Sequence, residues 1–259
     1  MKTTFALRAL FTAATFLIAT AASAQTTITA WNFNNLSVGT NIDPAASTGT
    51  GTASSVGMIN SYTGGSAANT TDISDIVVGV DGSNDWRVRG NGNGWNTAAP
   101  EYTQGAQFME STAGYNNIVF TYDWDTTKFG VRDLQAQYTS DGVHWTNVGA
   151  LQVANSTSST PFTTGITLNF AALGITSVNN DANFGVRLVS AFDPSYGAGT
   201  SYTEATAPTT VISNTGGNWR FDNIAVSGIA VAAVPEPQTY AMLLAGLLML
   251  AFMTRRRQR

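Results

Sequence analysis

Residues 132–145 read Arg132-Asp133-Leu134-Gln135-Ala136-Gln137-Tyr138-Thr139-Ser140-Asp141-Gly142-Val143-His144-Trp145. Arg132, Leu134, Ala136 and Tyr138 alternate with Asp133, Gln135, Gln137 and Thr139. A period of two puts successive side chains on opposite faces, so the segment predicts a half-buried strand. Asp141-Gly142 then supplies a tight turn, and Val143, Trp145 and Val148 supply the return strand. The unit is a β-hairpin, and the same grammar recurs on both sides of it.

Upstream, Ile28, Ala30, Trp31 and Phe33 mark an N-terminal strand. Ile76-Val77-Val78-Gly79-Val80 is a short apolar run, and Ile118-Val119-Phe120-Thr121-Tyr122 is another, ending in Trp124. Downstream, Phe184, Val186, Leu188 and Phe192 form a further strand pattern. The last strand reads Trp219-Arg220-Phe221-Asp222-Asn223-Ile224-Ala225-Val226. Trp219 and Phe221 are one residue out of phase with Ile224 and Val226. Both pairs can face one core only if a bulge sits at Asp222-Asn223. The Gly/Ser/Thr/Ala-rich segments 45–70 and 194–216 read as long loops. With no convincing helical period in the body, many short strands argue a single antiparallel β-sandwich over residues 25–234. Its 210 residues suffice to bury a core without staples.

Composition removes other classes. Gly, Ser, Thr and Asn number 25, 20, 37 and 21, while charged residues are only 11% of the 259-residue chain. Coiled coils, helical bundles and basic nucleic-acid binders carry far more charge. With no Cys, there is no disulfide scaffold, thiolate metal site or cysteine nucleophile. Between Gln25 and Val234 lie six basic and fifteen acidic residues, a net charge of about −9. That disfavours nucleic acid and anionic membranes as partners, and it attracts divalent cations.

The ends read as addresses. Lys2 and Arg8 precede an apolar run from Ala9 to Ala22, closed by Ala22-Ser23-Ala24. This is the pattern of a secretory signal peptide, with cleavage expected after Ala24. At the other end, Pro235-Glu236-Pro237 is followed by an apolar run from Tyr240 to Met253 and by Arg255, Arg256 and Arg257. The two prolines set a boundary. Fourteen helical residues span about 21 Å, short of a hydrocarbon core of roughly 30 Å. The expectation is a marginal stop-transfer transmembrane helix with the main domain left outside, its Arg cluster on the cytoplasmic side.

This tail resembles the PEP-CTERM protein-sorting signal of Gram-negative bacteria in three parts: the Pro235-Glu236-Pro237 motif, the short apolar helix and the Arg-rich end. The resemblance implies transient insertion in the inner membrane, recognition by a membrane protease, the exosortase, and removal of the tail near the motif. It also implies a cell-surface or secreted product in species that make exopolysaccharide and biofilm. The body looks like the jelly-roll modules of exported bacterial proteins, carbohydrate-binding ones among them. Residues 138–145 and 219–224 carry that likeness.

Chemistry is sparse. His144 is the one imidazole, so any Ser-His-Asp triad would have to use it. Ser140 and Asp141 are too near it in sequence to complete one. Glu101, Glu110, Glu204 and twelve Asp could pair for glycoside hydrolysis, but the Asp lie mostly in turn contexts. Structural calcium suits the hard-oxygen residues where the first and last strands meet: Asn32, Asn34, Asp222 and Asn223. Asp123 and Asp125 form a weaker pair. For sugar binding, the loop around Gly90–Asn96 offers Trp95 and Asn96, with Tyr102 nearby. Trp31, Trp124, Trp145 and Trp219 are expected in the core. The sequence therefore points to a non-catalytic, exported surface protein associated with extracellular polysaccharide. A polysaccharide hydrolase and a protein-binding adhesin subunit are the alternatives.

Overall fold

A computed structural model describes residues 24–33, 43–58, 85–89, 95–154, 163–213, 216–231 and 237–257. The signal segment, Asn34, the apolar run at 76–80 and the Gly-Asn loop before Trp95 lie outside the described residues.

Two antiparallel sheets face each other. The first orders β1 (Gln25–Trp31), β12 (Trp219–Ala230), β5 (Tyr115–Thr126) and β8 (Thr163–Asn169), with β3 (Trp86–Val88) also pairing with β12. The second orders β2 (Thr52–Val56), β4 (Gly105–Met109), β9 (Gly185–Ser190), β6 (Asp133–Thr139) and β7 (Thr146–Val153). A small ribbon pairs β10 (Thr203–Glu204) with β11 (Ala207–Val211). First and last strands are neighbours in one sheet, β1 pairing with β12 from Gln25–Ile229 to Trp31–Ile224.

The long strands β5 and β12 show why the sequence folds this way. On β5, Ile118, Phe120, Tyr122 and Trp124 alternate into the core, all buried. On β12, Trp219 and Phe221 are buried, and so are Ile224 and Val226, although they lie out of phase. The register between β12 and β5 shifts between Asp222 and Ala225, and Asn223 takes a φ of +49°. The extra residue rotates the strand by one position, which puts both apolar pairs on the same face. Phe108 of β4 lies at the centre of an aromatic group. Its ring centroid is 5.3 Å from Trp31, 5.9 Å from Trp86 and from Phe120, and 6.3 Å from Phe221. Each such pair adds about 0.5–1.5 kcal/mol beyond burial alone.

Three expectations are corrected. Segments 45–70 and 194–216 are not loops throughout, since β2 lies in the first and β10 and β11 lie in the second. Thr and Ser at β2 pair along β4 through backbone bonds that do not depend on apolar patterning. Trp145 is not in the core, for the reason given below. The tail forms one helix, α1 (Pro237–Arg257). Among the described residues no helix is long and apolar enough to cross a membrane, so the expected transmembrane helix is not found. Gln238 and Thr239 precede the apolar run and three arginines close it, leaving too few apolar residues between them.

Candidate functional site

The residues expected to hold sugar part company. Trp95 is fully buried, and its ring lies 4.8 Å from that of Trp219, edge-on at 62°. A ring enclosed by the core offers no face to a pyranose, which corrects the expectation for Trp95. Asn96 shapes a turn. Its Oδ1 accepts from the Ala98 amide at 3.0 Å, and its own amide donates to Gln104 Oε1 at 2.8 Å. Tyr102, in contrast, is half-buried, takes a φ of +66°, and donates its backbone amide to the Ser190 carbonyl at 2.9 Å. Burial raises the pKa of its hydroxyl. A hydrogen bond from the Asn147 side chain opposes that rise, and the nearby Glu101 carboxylate adds to it.

Asn147 belongs to the outer face of the second sheet, where a site assembles that strand patterning alone did not single out. Register aligns Ser54, Gln107, Arg187, Gln137 and Asn147 in one row across all five strands. Their sequence neighbours Ala106, Phe108, Val186, Leu188, Ala136 and Val148 point inward and are buried, so this row points out. Arg187 Nε donates to Gln107 Oε1 at 2.7 Å. Gln137 Nε2 donates to Asn147 Oδ1 at 2.8 Å. The Arg187 guanidinium carbon lies 4.0 Å from the centre of the Trp145 ring, a stacked cation–π contact. Burial lowers the Arg187 pKa somewhat, and it remains a cation. Gln135 is also nearly buried, and its Nε2 donates to the Ala136 and Val148 carbonyls at 2.8 and 3.0 Å. The face is thus a floor of amide and guanidinium groups with an indole lying over one end.

A signal for this site exists in the sequence. Val148 faces inward, so Asn147 and Trp145 share the opposite parity and must face out. Gln135 and Gln137 alternate with Leu134 and Ala136 in the same way. The expectation that Trp145 joins Val148 in the core broke that parity.

Of the residues expected to hold calcium, Asp222 and Asn223 form the bulge and Asn34 lies outside the described residues. Trp31 pairs with Ile224, which brings Asn32 beside the bulge. Asp222 pairs with Asp123 across the strands, and Asp222 Oδ1 accepts from the Asn223 amide at 2.8 Å. Asn223 Nδ2 donates to Asp123 Oδ2 at 2.9 Å, and the Gly165 amide donates to Asp123 Oδ1 at 2.6 Å. Asn223 thus presents its amide nitrogen to the carboxylate, not a ligand oxygen. Asp125 pairs with Arg220 at 3.5 Å. Among the described residues no group of three or more His, Asp or Glu side chains is arranged to hold a metal ion.

His144, Asp141, Glu101 and Asp193 are engaged in local contacts, whereas the Glu110 carboxyl is not, among the described residues. His144 Nδ1 and Asp141 Oδ2 meet at 2.6 Å on the exposed turn. That contact, together with the His144 and Val143 amides, holds the Asp141 carboxyl well below the usual range. Glu101 Oε1 accepts from the Phe192 amide at 2.9 Å. Glu110 is buried with neither oxygen partnered among the described residues, and its burial raises its pKa strongly. Asp193 takes a 2.8 Å bond from Arg132 and a 2.9 Å bond from Thr203.

Fold and site together define a β-sandwich with an outward polar-aromatic sheet face and a helical C-terminal tail. Comparison assigns the tail: residues 233–257 match the PEP-CTERM protein-sorting motif. The motif implies an exported chain with a C-terminal sorting signal, targeted to an exosortase. No curated protein sequence matches the chain. Among solved structures, it is similar to the CBM22-1–GH10 modules of Clostridium thermocellum endo-1,4-beta-D-xylanase 10B, complexed with xylohexaose. That likeness has a TM-score of 0.29 at 9% identity, covering 60% of this chain and 23% of that one.

Proposed function

We propose that this protein is a non-catalytic component of the extracellular matrix that binds polysaccharide through the outer face of its second sheet. The signal peptide is removed after Ala24, and exosortase removes the tail near Pro235-Glu236-Pro237. The sandwich of residues 25–234 is then left at the cell surface or released, in contact with exopolysaccharide.

The observation that carries this reading is the row Gln107, Arg187, Gln137 and Asn147 with Trp145 stacked on Arg187. Planar amides hydrogen-bond vicinal hydroxyls, and an indole face packs on the apolar C–H face of a sugar. Tyr102, beside Asn147, extends the same surface. A non-catalytic role is supported by Asp123, Asp141 and Asp193, which serve the bulge, the exposed turn and an ion pair.

Calorimetric titration of the purified protein with a panel of soluble polysaccharides, the producer's own exopolysaccharide included, tests the reading. Saturable heat is expected with at least one of them. Trp145→Ala is expected to weaken that binding at least tenfold, because the indole supplies the largest apolar contact on the face. Trp145 lies outside the core, so the variant keeps the fold. No heat with any member of the panel would overturn the reading.

A further inference from the structure

Arg187 is the feature of this face that a neutral sugar does not use. Its Nε is taken by Gln107 and its flat face by Trp145. Among the described residues it makes no ion pair, although the body carries fifteen acidic residues against six basic ones. Arg132 has Asp193, and Arg220 has Asp85 and Asp125. A half-buried guanidinium in an acidic protein would lower its energy by acquiring any of these carboxylates. Here, among the described residues, the in-plane edge opposite Nε has no partner, and the group is fixed by a stack above and an amide beside it. That edge carries parallel N–H donors, which is the geometry that takes a carboxylate in bidentate fashion.

The neighbouring groups lean the same way. Gln107 offers its Oε1 to Arg187, and its amide hydrogens have no partner among the described residues. Asn147 offers its Oδ1 to Gln137 and its amide to Tyr102. Arg187 and Gln107 therefore present donors to a ligand, and they suit a ligand rich in acceptors. The charge of the body sets the opposite limit. At about −9 it repels a dense polyanion at long range.

We infer that the face recognises a sparsely acidic polysaccharide, with Arg187 binding the carboxylate of an isolated uronic acid residue and Trp145 stacking on an adjacent neutral sugar. The inference rests on the polysaccharide-binding reading and specifies which polymer that reading requires.

The test compares two probes on the full protein: gellan, a mostly neutral chain with isolated glucuronate residues, and the same gellan after carboxyl reduction. The expected result is at least tenfold tighter binding to native gellan. Arg187→Gln is expected to erase the preference, binding both forms alike and weakly. Arg187→Lys, which keeps the charge but loses the fork and the stack, is expected to retain part of it. Equal affinity of the wild-type protein for both forms overturns this inference and leaves polysaccharide binding standing. Binding to neither form, nor to any other polysaccharide, overturns both. If Arg187→Gln fails to fold, the wild-type comparison alone still decides.

Discussion

Asp133 lies on β6, beside the Arg132–Asp193 ion pair, and is 1% exposed. Neither carboxylate oxygen has a partner among the described residues. Burial pushes its pKa up from 3.8 to about 7. The Arg132 charge opposes this and the Asp193 charge adds to it. A folded-state value above the unfolded one means that folding takes up a proton in the interval between them. Asp133 therefore costs nothing below about pH 3.8. As pH rises through about 7, its ionisation removes stability that was present at low pH. The interval is worth ~4 kcal/mol at 1.36 kcal/mol per pH unit. Asn has nearly the same shape and no charge, so Asp133→Asn should remove this slope while leaving the buried volume filled. In urea denaturation at pH 8 the variant should be more stable than the wild-type protein, by as much as ~4 kcal/mol. The gap should close as pH falls to 4. Glu110 also titrates from a buried site, but it is common to both proteins and cancels in the difference. A variant less stable than wild type at pH 8 would refute the reasoning, because it would mean that the ionised carboxylate is held by a partner.

Two further predictions follow from the core. Trp95→Ala should cost about 3–5 kcal/mol in denaturant stability, because it removes a fully buried indole packed on Trp219. Its folded fraction should bind polysaccharide as wild type does, and a selective loss of binding with unchanged stability would contradict the burial. Tyr122→Phe removes a buried hydroxyl that has no partner among the described residues, and it should raise stability by about 1 kcal/mol. A fall in thermal midpoint for this variant would show that the hydroxyl is satisfied.

Local pattern carried much of the fold. The alternation at 132–139 became β6, and the phase break in residues 219–226 became a bulge at Asp222–Asn223. Both are legible because a strand has a period of two and a misplaced apolar pair can be rescued only by an extra residue. Strands β2, β8 and β11 were not legible. Strands β2 and β11 are rich in Thr, Ser and Pro with little apolar patterning, and in β8 only Ile166 and Leu168 alternate, too short a run to stand out; all three pair with neighbouring strands through backbone groups.

The site divides in the same way. Tyr102 was visible as an aromatic in a polar loop, and it does lie beside the outer face. Trp95 was chosen for its Gly-Asn surroundings, yet its ring fills the core next to Trp219. Composition near a residue does not say which way its side chain points. Arg187, Gln107, Gln137 and Asn147 come from four strands, the first and last 80 residues apart in the chain, and only sheet register puts them in one row.

The sequence alone carries the C-terminal sorting signal and the periodic strands from which the chain is built. A sorting signal is read locally along the chain by Pro235-Glu236-Pro237, the apolar run and the arginines. A single strand is likewise a local fact. The tertiary structure alone decided which indole is buried and which is presented, and that a guanidinium with no ion pair among the described residues stacks on the presented one. Those outcomes depend on strand order and register, which are set by the packing of side chains distant in sequence against a shared core.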